Sequence, residues 1–255
     1  MKFVVLGSGS AAPHAQRSSS GYWVESAAGS ILLDCSAAVV HRMAQENLDW
    51  VDLDAIWISH FHLDHVGGLA PLLFGTRHAP ETQRRRKPLT ICGPRGLRRI
   101  VESFDRANDY KLFEQPFPLE FREVEPLESF EIAPGLEGAT LKTAHTDESM
   151  AIHLRDRDDK TLVYTADTGF REDLAAFARG VDLFVAECSF FENKPIETHL
   201  ELAEAMFLIG RARPARALLT HFYAEWDAVD FAAETEKFKP PCEVLQARDG
   251  LRLEI

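Results

Sequence analysis

His60-Phe61-His62-Leu63-Asp64-His65 gathers three imidazoles and a carboxylate into six residues. Imidazole nitrogen and carboxylate oxygen suit zinc and its first-row neighbours, and a two-metal hydrolase needs such groups converging on adjacent ions. The preceding segment, Leu53-Asp54-Ala55-Ile56-Trp57-Ile58-Ser59, reads as a buried strand running into the motif, which places the run on a strand-to-helix turn. On a turn, alternating side chains point two ways, so His60 and His62 can serve one ion while Asp64 and His65 serve a second. Gly67-Gly68 then lets the backbone turn tightly into Leu69-Ala70-Pro71-Leu72-Leu73-Phe74. A solvated, His-rich loop is the bland alternative. Against it stands a single apolar strand that delivers all four groups together.

Six residues cannot close two coordination shells, and further donors follow downstream at the ends of apolar runs. His145 follows Leu141-Lys142-Thr143-Ala144, Asp167 follows Thr161-Leu162-Val163-Tyr164-Thr165-Ala166, and His221 follows Ala217-Leu218-Leu219-Thr220. Strand ends are where an open α/β framework collects its functional groups. Each residue taken singly reads as a cap or turn residue. Together they fill the missing places.

With these residues in hand, the chain resembles the metallo-β-lactamase superfamily, and within it the ribonuclease Z-like branch of phosphodiesterases. The likeness runs almost end to end. Leu6-Gly7-Ser8-Gly9-Ser10 with Ala12-Pro13 is similar to the family's first strand and glycine loop, and Ile31-Leu32-Leu33-Asp34-Cys35 to its second conserved strand. The resemblance implies that His60, His62 and His145 bind one metal and Asp64, His65 and His221 the other. It further implies that Asp167 bridges them, that Asp34 is structural and that Asp64 doubles as an acid/base partner. The implied fold is α/β (α+β), a four-layer αββα sandwich of two mixed sheets with helices outside. The implied cofactors are two divalent metal ions, zinc above manganese or iron.

Ala186-Glu187-Cys188-Ser189-Phe190 and Glu197-Thr198-His199-Leu200 resemble the segment in which ribonuclease Z-type enzymes carry a histidine that protonates the leaving oxygen, oriented by an upstream glutamate. That maps the catalytic roles onto His199 and Glu187. An alkoxide leaving a phosphodiester benefits from a donor with a pKa near neutral, which imidazole offers. In the alternative, Thr198 caps a helix from Leu200 to Ile209 and His199 merely begins it.

The departures from ribonuclease Z matter as much. Between His145 and Asp167 there is room only for a hairpin, Met150 to Leu154 and Thr161 to Tyr164, joined at Asp156-Arg157-Asp158-Asp159-Lys160. In ribonuclease Z that interval carries the tRNA-gripping arm. Ala186 also replaces the histidine that usually precedes the glutamate there. With 28 Lys plus Arg against 40 Asp plus Glu, the formal net charge is -12, whereas a protein gripping polyanionic RNA usually shows a basic surface. A small anionic substrate is expected in place of nucleic acid. One basic stretch, Arg77, His78 and then Arg84-Arg85-Arg86-Lys87, stands apart. It is either a solvated charge run or a loop that reaches over the metals to bind a phosphate.

The 255 residues show no repeat or low-complexity tract, and strand-like and helical runs alternate in both halves, so one hydrolase domain over residues 1–255 is the simplest expectation. Helices are expected at Ala37 to Glu46, Pro94 to Arg106, Arg171 to Arg179, Leu200 to Ile209 and Ala228 to Lys237. The stretch Arg106 to Pro118 is irregular, and its Tyr110, Phe113 and Phe117 either fill core or face substrate. Cys35, Cys92, Cys188 and Cys242 lack a C-x-x-C pair and read as reduced, mostly buried thiols. Phe3-Val4-Val5-Leu6 is too short for a signal segment and no stretch reaches membrane-spanning length, so a cytoplasmic location is expected. A homodimer fits family habit.

The expected activity is hydrolysis of a small phosphodiester by a hydroxide that two metals activate. A carboxylic-ester, lactone or thioester hydrolase and an arylsulfatase use the same ligands, because one fold hosts many chemistries. A metal-containing scaffold subunit is the non-enzyme alternative.

Overall fold

Period-two alternation in the first strands decides which layers form. The computed structural model describes residues 1–255. In β1 (Lys2–Gly7), Phe3 and Val5 enter one hydrophobic cluster while Val4 and Leu6 enter another. β2 (Gly21–Ser26) and β3 (Gly29–Leu33) repeat the division, with Tyr22, Val24, Ile31 and Leu33 on one side and Trp23 and Leu32 on the other. A strand apolar on both faces must be covered on both. Accordingly α1 (Ala37–Gln45) supplies Val39 and Met43 to the outer cluster. After β4 (Ala55–Trp57) and the short α2 (Leu63–Val66), α3 (Leu69–His78) adds Leu69, Leu72 and Leu73. β5 (Leu89–Pro94), α4 (Leu97–Arg106) and β6 (Leu119–Val124) complete this half, with Leu97 and Val101 in the same outer layer.

The second half has the same plan. β7 (Ser129–Ala133), β8 (Leu136–Lys142), β9 (Met150–Asp156) and β10 (Thr161–Tyr164) form an antiparallel meander. α5 (Asp173–Phe177), β11 (Leu183–Glu187), α6 (Leu202–Ala212), β12 (Arg216–Thr220), α7 (Phe231–Glu236) and β13 (Glu243–Gln246) follow, with β10 to β13 parallel. β14 (Arg252–Glu254) crosses back to pair with β1. The result is two mixed seven-stranded sheets, ordered β14-β1-β2-β3-β4-β5-β6 and β13-β12-β11-β10-β9-β8-β7. Face to face, with helices outside, they make the expected αββα sandwich.

Aromatic contacts lock the two sheets together. Fully buried Trp57 of β4 stacks on Phe130 of β7 at 6.0 Å, and Tyr22 of β2 meets Tyr164 of β10 at 5.0 Å. The tyrosine hydroxyls also cross the interface, Tyr22 to Thr220 Oγ1 at 2.8 Å and Tyr164 donating to Asp34 Oδ2 at 2.7 Å. The buried phenols are thus satisfied, as they must be in an apolar layer.

Helix bounds shift slightly from expectation. Pro94 closes β5 rather than opening a helix, and α6 begins at Leu202 behind a capping box of Glu201 and Glu204, so Thr198 caps nothing. Gly67 and Gly68 have ordinary right-handed backbone angles, so turn freedom is not their use. A Cβ on Gly68 would lie 2.2 Å from Ser36 O; the helix after the motif packs directly on backbone. Residues 107–118 form no helix or strand, as expected; Phe117 is buried and Phe113 packs on Phe121 at 5.4 Å, whereas Tyr110 is exposed.

Within the basic stretch Arg84 and Arg86 are exposed, but Arg85 and Lys87 are structural. Arg85 is buried and donates to the carbonyls of Val51, Leu53, Lys87 and Pro88, while Lys87 pairs with Asp52 and Asp54 at 3.0 and 2.7 Å. These partners precede β4 and β5, at the opposite end of the strands from His60. The reading of a loop reaching over the metals is therefore overturned for Arg85 and Lys87. An unpaired buried carbonyl is costly, and Arg85 satisfies four of them.

Candidate metal centre

The candidate metal ligands of the sequence meet at one edge of the sandwich. Asp34 follows β3, His60 follows β4, His145 follows β8, Asp167 follows β10, and His221 follows β12. Crossing hydrogen bonds hold the second-sheet loops together: Thr143 Oγ1 to Asp167 O at 2.9 Å, and Gly169 N to Ala144 O at 2.9 Å. Asp34, Ala166 and His221 all adopt positive φ, near 56°, 54° and 64°. Left-handed backbone at non-glycine residues clusters where structure over-determines it, and here it turns side chains inward at strand ends.

Two groups of donors result, and each holds its ligand atoms within 4.8 Å of one another. His60, His62, His145 and Asp167 form one; Asp64, His65, Asp167 and His221 form the other. Asp167 faces both: Oδ2 lies 3.7 Å from His60 Nε2 and 3.6 Å from His145 Nε2, while Oδ1 lies 3.2 Å from His65 Nε2 and 3.3 Å from His221 Nε2. Asp64 Oδ2 stands 3.5 Å from both His65 and His221 Nε2. Donors about 2.1 Å from a tetrahedral ion are about 3.4 Å apart, so these spacings fit.

Polar satisfaction gives an independent test. His60 Nε2, His65 Nε2, His221 Nε2 and Asp167 Oδ1 are buried without any hydrogen-bond partner. Buried polar atoms are almost always paired, and four unpaired ones aimed at common points are what a cation satisfies. The donor set of imidazoles and carboxylates therefore fits two divalent ions.

The opposite ring nitrogens are held. Asp34 Oδ2 lies 2.7 Å from His65 Nδ1, and the same carboxylate accepts from Ser59 N at 2.7 Å, Ser59 Oγ at 2.9 Å and Tyr164. Ser59 Oγ lies 3.0 Å from His60 Nδ1, and His145 Nδ1 donates to Thr198 O at 3.0 Å. Such partners fix tautomer and ring orientation. Burial disfavours charge on His65, yet Asp167 and Asp34 outweigh it and hold its pKa above the ordinary histidine range. Burial, aided by His65, drives His60 well below that range, toward the neutral ligand form. Asp167 stays ionised because His221 and His65 overcome its burial.

A third cluster adjoins the first two. Glu187, buried at the end of β11, accepts from Thr168 N at 2.8 Å, Ser189 N at 3.1 Å and Leu200 N at 3.2 Å, and its Oε1 lies 2.8 Å from His199 Nδ1. Ser189 Oγ donates to Glu187 Oε2 at 2.8 Å and sits 3.1 and 3.0 Å from the Nδ1 atoms of His199 and His221. The His199 ring lies 4.8 Å from His145 and 5.4 Å from His221. Burial opposes its charge, but Glu187 prevails and raises its pKa to about 9.

Every site residue expected from the sequence thus converges here. Ser189, Ser59 and Tyr164 were not singled out as partners, although Ser189 lies inside the quoted Glu187 segment. A serine between strand and loop carries no periodic signal, and only tertiary contact reveals its three partners.

Comparison with known proteins extends this. A probable metallo-hydrolase, YhfI of Bacillus subtilis, is 28% identical over 223 residues, covering 87% of this chain and 86% of that protein. Ribonuclease Z of Shouchella clausii is 26% identical, covering 87% and 86%. The crystal structure of YhfI from Bacillus subtilis, a metallo-β-lactamase fold protein, superposes with a TM-score of 0.80 at 25% identity, covering 100% of this chain and 99% of that one. A diphosphatase from the PhnP family shares the fold, with a TM-score of 0.74 at 19% identity over 100% and 97% of the chains. The model of the family described as Anti-Pycsar protein Apyc1 matches residues 1–239. The chain therefore belongs to the Anti-Pycsar protein Apyc1 family, as a metallo-β-lactamase-fold hydrolase of the branch that includes YhfI and ribonuclease Z.

Proposed function

We propose that this hydrolase is a phosphodiesterase acting on a small anionic phosphodiester. The observation that carries the reading is His199, whose Nδ1 is committed to Glu187 and Ser189 while the ring faces His145 and His221. The tetrahedral intermediate of a carboxylic ester expels its alkoxide with help from its own oxyanion, whereas an alkoxide departing from phosphorus gains more from a positioned proton donor. His199, with its pKa raised to about 9, holds that proton at neutral pH.

His60, His62 and His145 would hold one divalent ion and Asp64, His65 and His221 the second, with Asp167 shared. When bound, two such ions neutralise phosphoryl charge and lower the pKa of water to near neutral. Zinc suits the nitrogen-rich donor set, with manganese or iron as substitutes. The chain's own residues do the rest. Asp64 Oδ2, between His65 and His221, is placed to accept a proton from the nucleophile. Glu187 and Ser189 hold the His199 ring so that its other nitrogen meets the departing oxygen, and the proton passes there as the P–O bond breaks. Three backbone N–H donors hold the Glu187 carboxylate beside the His199 ring.

A small substrate is favoured over tRNA by the hairpin β9–β10, which alone occupies the interval after His145, and by the net charge of -12. The reading treats residues 1–255 as one catalytic domain, since both sheets contribute ligands to one centre. Four free thiols suit a cytoplasmic setting.

The test is hydrolysis of bis-p-nitrophenyl phosphate beside p-nitrophenyl acetate and a lactone panel, by metal-loaded protein of measured metal content. Diester turnover that falls in His199→Ala with metals retained, and more steeply for a diester with an alkoxide leaving group than for bis-p-nitrophenyl phosphate, supports the proposal. Preferential ester or lactone cleavage indifferent to His199 moves the protein to carbonyl chemistry.

A further inference from the structure

His199 lies between β11 and α6, on a segment that forms neither helix nor strand, so its ring is only as fixed as the backbone beneath it. Nearly every peptide group there is committed. Glu197 O lies against Gly169, where a Cβ would come within 2.1 Å, and Thr198 O takes the His145 Nδ1–H at 3.0 Å. Leu200 O accepts from Phe190 N at 3.1 Å. The carbonyl of His199 itself goes to a side chain with no role assigned so far: Lys194 Nζ donates to it at 3.2 Å.

Lys194 is built for that contact. Its side chain is only 8% exposed, and Nζ lies 2.8 and 3.0 Å from the two oxygens of Glu204 and 3.1 Å from Glu197 Oε2. An ammonium has three N–H donors and no acceptor, so Glu204, Glu197 and the His199 carbonyl use it fully. Burial opposes its charge, but Glu204 and Glu197 prevail and hold its pKa above the ordinary lysine range. Glu197 is 89% exposed, which makes that pairing weak and leaves Glu204 as the anchor. Glu204 is fixed in turn, because its Oε2 accepts from Glu201 N at 3.1 Å in the capping box that opens α6. The lysine thus carries the rigidity of a helix end to the peptide after His199. That peptide is gripped on both sides, its oxygen by Lys194 and its N–H, on Leu200, by Glu187 Oε2 at 3.2 Å. Glu187 also holds the ring at Nδ1.

We propose that Lys194 is the positioning residue for His199: its ammonium fixes the His199 carbonyl so that the free ring nitrogen stays aimed at the departing oxygen. This rests on the phosphodiesterase reading for what His199 does. Lys194 touches no substrate and passes no proton. Its effect is geometric, and a misplacement of about 1 Å in a catalytic group can cost about a hundredfold.

Lys194→Met keeps the alkyl stem and removes the donor. In zinc-loaded protein, kcat for a dinucleoside monophosphate, whose leaving group is an alkoxide, is expected to fall by about tenfold to a hundredfold with KM nearly unchanged. The fall should be much smaller for bis-p-nitrophenyl phosphate, and zinc content should stay at the wild-type value. Made in the His199→Ala background, the same substitution should cost nothing further, because both act through one group. Proton NMR needs no substrate: the His199 Nδ1–H bonded to Glu187, identified by its absence in His199→Ala, should give a downfield signal that broadens or vanishes in Lys194→Met. Should Lys194→Met not fold, Glu204→Gln, which keeps the lysine and weakens its anchor, is read in the same way. If wild type cleaves neither diester while the signal still depends on Lys194, the phosphodiesterase reading falls and the positioning stands. An equal fall on both substrates, a further fall in the His199→Ala background, or an unchanged signal in Lys194→Met overturns the proposal.

Discussion

The two halves of the metal centre are built to different standards. Around His65 and His221 the structure is closed: both rings are buried, Asp34 and Ser189 hold their far nitrogens, and Asp34 is itself tied by Ser59 and Tyr164. Around His62 it is open. His62 is exposed, and its Nδ1 has His145 Nε2 at 3.0 Å as its neighbour. A ring held on both sides is pre-organised for an ion, whereas an exposed ring must lose rotamer freedom when it binds one. The closed half should hold its metal firmly and the open half should exchange it and admit substrate.

Asp167→Ala removes the one residue both halves share, so metal retention and activity should be abolished together, read by elemental analysis and diester turnover. Retention of either ion would break the assignment of Asp167 as bridge. His199→Ala removes no proposed ligand; metals should stay bound while turnover of a diester with an alkoxide leaving group falls by about a hundredfold to ten-thousandfold, the usual worth of a general acid. The fall should be smaller for p-nitrophenyl esters, whose leaving group needs little help. Wild-type turnover should decline as pH rises through the His199 pKa, near 9, because the protonated form acts; a profile unchanged by His199→Ala removes that role. The same shift stabilises the metal-free fold, fully below the ordinary 6.5 and not above about 9, since folding raises the pKa.

His65→Ala against His62→Ala sharpens the comparison directly. The first should lower metal affinity more than the second, with Asp34→Asn costing about tenfold to a hundredfold by loosening His65. Equal affinities in calorimetric titration would show the halves to be equivalent. Arg85→Ala lies outside both; it should cost about 3 kcal/mol of stability through stranded carbonyls, seen in Tm, with activity intact. Loss of activity at full stability would return the basic loop to the site.

Much of this was legible because ligand chemistry is local. His60 to His65 lie on one turn, so their residue types announce the centre before any fold is known. His145, Asp167 and His221 were found because apolar runs end just before them. The roles of Arg85 and Gly68 were misread for the opposite reason. Charge and flexibility are properties of a residue, but what Arg85 pairs with and what Gly68 lies against depend on segments far away in the chain.

Residue type and spacing therefore marked the candidate donors and the hairpin after His145, while the family resemblance supplied the two-sheet sandwich and the contrast with the ribonuclease Z arm. Tertiary structure alone decided that Asp167 presents one oxygen to each donor group and that Ser189 joins Glu187, His199 and His221. Those outcomes turn on distances of a few ångströms between strand ends from two sheets, set by how the sheets pack, and no single strand carries that information.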